Sequence, residues 1–210
     1  MKEIAVDSEG SSTAGRRPDF FTRVPSIAVH DALAEFLGAA EGGRIEYSYD
    51  DAVKLTGHSC PTVAGAYAAT LEALATLYPG ELPERGAIAV ELRGRVDEGV
   101  TGVVASVVGL VTGAAAEGGF KGIAGRFERH GLMRFGAPIA ADLRFTRLDS
   151  GACMEIDLRR AAAMPAELMA ALRQALSPDA TASERERFGR GWQARTAEML
   201  LPSQASARVA

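Results

Sequence analysis

The sequence predicts an α+β fold: a mixed or antiparallel sheet packed by helices, followed by a helical C-terminal tail. Two period-2 segments, residues 141–148 and 153–158, flank Asp149-Ser150-Gly151 and read as a β-hairpin. A long helical face runs through Val63, Tyr67, Leu71, Leu74 and Leu77. Residues 165–176 and 183–200 read as two further helices, able to pack on a second copy or on the domain itself.

The elements follow in order. Residues 1–24 are rich in Ser, Gly, Arg and Asp without a sustained period, so a flexible N-terminal arm is expected. Ala32, Leu33, Phe36 and Leu37 recur at helical spacing before Gly38, which predicts a helix over 29–38. Arg44 to Tyr47 reads as a short strand. Ser48, three residues before Asp51, resembles a capping box; it opens a helix from Tyr49 to Thr56 that Gly57 ends. The next helix starts near Pro61, and its second face of Gly65, Ala66, Ala68, Ala69 and Ala73 permits close packing. Residues 87–92 fit a strand. The uncharged run 99–116 nears the lower limit for a bilayer span, but four glycines, two threonines and a serine dilute it, and a buried helix is the better reading. Gly118, Gly119, Gly122 and Gly125 form a loose link into 126–135, read as strand or irregular. Residues 25–160 are taken as one domain and 161–210 as a helical extension.

Composition narrows the partners. Net charge is -4, with charged residues of both signs interspersed, which argues against an electrostatic footprint for nucleic acid or a membrane surface. The two cysteines, Cys60 and Cys153, lie far apart, and no apolar leader stands near the start, so a reducing cytoplasm is expected.

Chemistry concentrates at Gly57-His58-Ser59-Cys60-Pro61, a short connection between two helices where the side chains of His58 and Cys60 can converge. Unpaired N–H groups at a helix N-terminus favour a thiolate, the form that binds metal or attacks an electrophile. A nitrogen and sulfur pair suits Zn²⁺, Ni²⁺ or Fe²⁺ better than Mg²⁺ or Ca²⁺. Further ligands must come from elsewhere in the fold, and His30 is the preferred third. His130, Asp97 and Glu98 are other donors. No CxxC pair occurs, so a closed cysteine-rich zinc site is excluded by counting. Gly119-Phe120-Lys121-Gly122 lacks the Gly-Lys-Ser/Thr ending of a phosphate loop.

The Gly57-His58-Ser59-Cys60-Pro61 motif, with Gly65 and Tyr67 in the following small-residue helix, resembles the Gly-His-x-Cys-Pro signature of the FmdE-like family, named for a component of formylmethanofuran dehydrogenase. Residues 98–102 and 119–122 are similar to that family's later Thr/Gly-rich region. The resemblance covers roughly residues 26–160. It implies an α+β domain similar to that grouped with the catalytic domain of glyceraldehyde-phosphate dehydrogenase, often a homodimer, with a transition metal at His58 and Cys60. The cysteine-rich zinc ribbon of archetypal members has no counterpart, since residues 161–210 contain no cysteine.

Two classes of function follow. In the first, a metal-dependent or redox-linked enzyme acts on a small molecule, with Zn the leading metal and Glu98, Glu128 or His130 transferring protons. In the second, the chain is a metal- or haem-binding accessory protein in which Cys60 is the axial haem ligand. A third reading has the site ordering a dimer interface, with Trp192 and the last helix supplying buried aromatic area.

Overall fold

The computed structural model describes residues 17–158 and 163–201, and its fold is α+β with a mixed sheet. Strands β1 (Ile27–His30) and β2 (Arg44–Tyr47) form an antiparallel pair. Between them lies the short helix α1 (Ala32–Phe36). Asp31 caps α1, its carboxylate accepting the Leu33 and Ala34 N–H groups at 3.0 Å. The helix expected over 29–38 is therefore shorter, because Val29 and His30 belong to β1. Four residues of strand leading directly into a helical pattern leave no period long enough to read.

Ser48 and Asp51 make the reciprocal capping box that opens α2 (Tyr49–Thr56), and left-handed Gly57 (φ 76°) closes it. Helix α3 (Pro61–Leu77) follows, with Pro61 in its first turn. The second sheet orders its strands β4 (Met133–Arg134), β3 (Ile88–Leu92), β5 (Leu143–Arg147) and β6 (Cys153–Ile156). β3 runs parallel to β4 and antiparallel to β5, and β5 and β6 form the expected hairpin with Phe145 opposite Met154. The parallel pairing requires a crossover, and helix α4 (Thr101–Thr112) lies in it.

Ile88, Val90 and Leu92 of β3 point inward, alternating with more exposed neighbours as a half-buried strand must. Helix α3 packs against both α4 and the sheet. Its small residues Gly65, Ala66 and Ala69 are buried, as are Val104, Val107, Val108 and Val111 of α4. Each large apolar side chain so removed from water contributes about 1.5–3 kcal/mol. No helix among the described residues is long and apolar enough to cross a membrane.

Two segments differ from expectation. Residues 1–16 of the expected arm lie outside the described residues, but Asp19–Arg23 form a 3-10 turn whose Phe20 and Phe21 are 6% exposed. Their rings meet Tyr49 at centroid distances of 6.2 and 5.0 Å, and Tyr49 meets Tyr67 at 5.6 Å. Two adjacent aromatics carry no periodicity, so their burial was hidden. The tail is the expected helical pair, α5 (Ala166–Ala175) and α6 (Ala182–Leu200). Helix α6 lies along α3, with Thr196 and Leu200 buried.

Candidate functional site

The loop joining α2 to α3 carries the motif, and three side chains from other elements hold it. Tyr49 Oη lies 3.0 Å from Ser59 Oγ. Trp192 Nε1 and Gln193 Nε2 of α6 both donate to the Ser59 carbonyl, at 3.0 and 3.2 Å. Burial pushes the Tyr49 phenol up to about 12 against the opposing hydrogen bond from Ser59, so it stays protonated at neutral pH.

His58 is exposed, and its Nδ1 lies 2.9 Å from the Thr56 carbonyl. A carbonyl only accepts, so Nδ1 donates this hydrogen bond, which leaves Nε2 as the nitrogen through which a neutral imidazole would ligate. Cys60 occupies the N-cap of α3 in extended conformation (φ -150°, ψ 167°), is a free thiol and packs partly against the core. It offers α3 no side-chain cap. Among the described residues, no hydrogen bond is made by the N–H groups of Cys60, Thr62 or Val63.

His30 stands in a different environment from the one expected. It ends β1, its Nδ1 bonded to Glu84 and its Nε2 3.2 Å from Glu35. The Glu84 hydrogen bond, against the opposing effect of burial, raises its pKa above the ordinary 6.5. Both ring nitrogens are thus committed to carboxylates, which suits an imidazolium clamp rather than a neutral ligand. Next to it, Asp31 forms ion pairs at 2.8 Å with Arg85 and Arg129. Glu128 lies 3.4 Å from His130, both on the loop before β4. Among the described residues there is no group of three or more His, Cys, Asp or Glu side chains placed to share an ion. The donors therefore do not fit a centre built from His30, His58 and Cys60; His58 and Cys60 are the only two of that set without a competing carboxylate partner among the described residues.

A cavity of about 720 Å³ opens beside the motif. Pro61, Thr62 and Gly65 from the start of α3 form one wall, and Glu98 to Thr101 at the start of α4 form another. The ends of β3 and β5 complete it with Leu92, Arg93, Asp142 and Leu143. Arg93 is ion-paired with Asp142. Glu98 is exposed there, its Oε2 accepting the Arg95 N–H at 3.2 Å. Of the expected proton-transfer residues, Glu98 alone lines this cavity; Glu128 and His130 do not, and neither does Cys60.

Sequence reasoning missed Arg93, Asp142, Trp192 as a loop anchor, and Gln193. Arg93 and Asp142 sit 49 positions apart and meet only because β3 pairs with β5. Comparison of the chain with protein-family models, with curated proteins and with solved structures finds no match.

Proposed function

We propose that this protein is an enzyme that takes a small molecule into the cavity between α3 and α4, with Glu98 as its proton-transfer group. The cavity wall begins at Pro61, the residue directly after Cys60, so the motif loop leads into the cavity while His58 and Cys60 themselves stand outside its lining. The observation that supports this reading most is that Pro61 and Thr62, the two residues after Cys60, line the same cavity as Glu98. The lining is divided: Leu92, Val104, Leu143 and Leu158 are apolar, while Arg93, Glu98 and Asp142 are ionic. That division suits a ligand with an apolar body and one polar end.

The test is a thermal-shift screen with small carboxylic acids, amides and amines of mixed polarity. A ligand at about 100 times its Kd adds about 2.7 kcal/mol, which for a chain of this size is a rise of about 5–11 °C. Thr62→Trp, filling the cavity wall, should abolish the rise. Glu98→Gln should retain the rise and lose turnover of the same compound. A screen in which no compound stabilises the protein, or a rise that survives Thr62→Trp, overturns the reading.

A further inference from the structure

We infer that Trp192 and Gln193 of the C-terminal helix α6 are positioning residues for the motif loop, acting jointly through the Ser59 carbonyl. This rests on the reading that the His58–Cys60 loop is part of the functional centre.

The Ser59 oxygen accepts two side-chain N–H groups, from Trp192 at 3.0 Å and Gln193 at 3.2 Å, residues 133 and 134 positions away in sequence. Carbonyl and N–H point in opposite directions across a trans peptide, and no peptide bond among the described residues is cis. Anchoring the Ser59 carbonyl on α6 therefore turns the Cys60 N–H away from α6 and fixes the plane of the Ser59–Cys60 peptide. That plane sets where the Cys60 side chain leaves the backbone. On the opposite side of the loop residue, Tyr49 Oη meets Ser59 Oγ at 3.0 Å, so both ends of Ser59 are held.

The anchor is rigidly mounted. The Phe188 ring lies 5.7 Å from Trp192 on the same helix, Thr196 bonds back to the Trp192 carbonyl at 3.0 Å, and α6 packs along α3. The capping box of Thr181 and Glu184 fixes where α6 begins. The tail is thus a working part of the motif rather than an appendage, and its tryptophan is directed to the loop of its own chain.

Two donors on one acceptor give a specific signature. Either alone can hold the carbonyl, so single substitutions should be mild and the double substitution disproportionate. The test uses the full chain as Trp192→Phe, Gln193→Leu and the double variant, which delete the donors and leave an apolar side chain at each position. Cys60 and the exposed Cys153 are followed separately by iodoacetamide labelling and peptide mass analysis, Cys153 serving as internal control. Expected are changes within about twofold in each single variant and a rise of about fivefold or more at Cys60 in the double variant, the factor associated with losing one ordinary hydrogen bond. The amide ¹⁵N resonance of Cys60, which senses hydrogen bonding at the preceding carbonyl, should move in the same order.

Cys60 labelling and amide resonance unchanged in the double variant would overturn the inference. So would parallel acceleration at Cys153, which would signal general loosening. Because neither readout needs a ligand, failure here is separable from failure of the cavity screen.

Discussion

Replacing Asp31 by alanine should bring the fold close to collapse. The carboxylate is 3% exposed and makes four contacts: the Leu33 and Ala34 N–H groups at 3.0 Å, and Arg85 and Arg129 at 2.8 Å each. Arg85 keeps a second partner in the Leu110 carbonyl, but Arg129 is 7% exposed and its Nε and Nη1 have no acceptor among the described residues. Asp31→Ala would strand a buried guanidinium, which costs about 3–5 kcal/mol. Loss of the N-cap adds about 1 kcal/mol. A total of about 4–6 kcal/mol is a large share of the 5–15 kcal/mol typical of a domain. Asp31→Asn retains a capping oxygen and should lose less. Urea unfolding monitored by fluorescence measures both. A loss below about 2 kcal/mol for Asp31→Ala would refute the reasoning, and Arg129→Met in that background should restore part of the loss by removing the stranded charge. The sign with pH follows from the same contacts. Burial would raise the Asp31 pKa, but the Ala34 N–H and the two guanidinium groups outweigh it and hold it below the ordinary 3.8. The stabilisation is therefore complete above about pH 4 and is lost as pH falls through the lowered value, and Asp31→Asn should flatten that acid limb.

Three other outcomes are expected. Tyr67→Phe should lose about 1–3 kcal/mol in the same urea assay, because the buried Tyr67 hydroxyl donates toward the carbonyls of Pro25 at 2.9 Å and Tyr47 at 2.8 Å. Gly86→Ala should cost about 3–5 kcal/mol, since φ is 92° and a Cβ there would lie 1.6 Å from Arg129 Nη1; a neutral result would mean that Arg129 is not packed on this glycine. The contribution of the His30–Glu84 contact should be full below pH 6.5 and decline as pH rises through the raised His30 pKa, a trend that His30→Gln should remove from a titration of stability.

Much of the fold was legible because local signals agree with the packing. Ser48 and Asp51 announced α2, the turn at Asp149 announced the β5–β6 hairpin, and the valine-rich run proved to be a buried helix. The candidate site was legible only in its contiguous part. His58 and Cys60 share one loop, and the structure keeps them there. What escaped depends on pairings distant in sequence: His30 with Glu84, Arg93 with Asp142, and Trp192 with Ser59. His30 beside Asp31 looked like a ligand at a helix start, because nothing local reveals the carboxylate that occupies its Nδ1 nitrogen.

The aromatic cluster around Tyr49 carries a practical lesson about where this chain can be cut. Phe20 and Phe21 pack on the ring whose hydroxyl meets Ser59, and Tyr67 closes the other side. A fusion joined ahead of Arg17 leaves that stack whole. A fragment starting after Arg23 would empty the space beneath Tyr49 and free its hydroxyl to swing from the loop, so the packed unit begins before the first phenylalanine, in a stretch whose composition reads as dispensable.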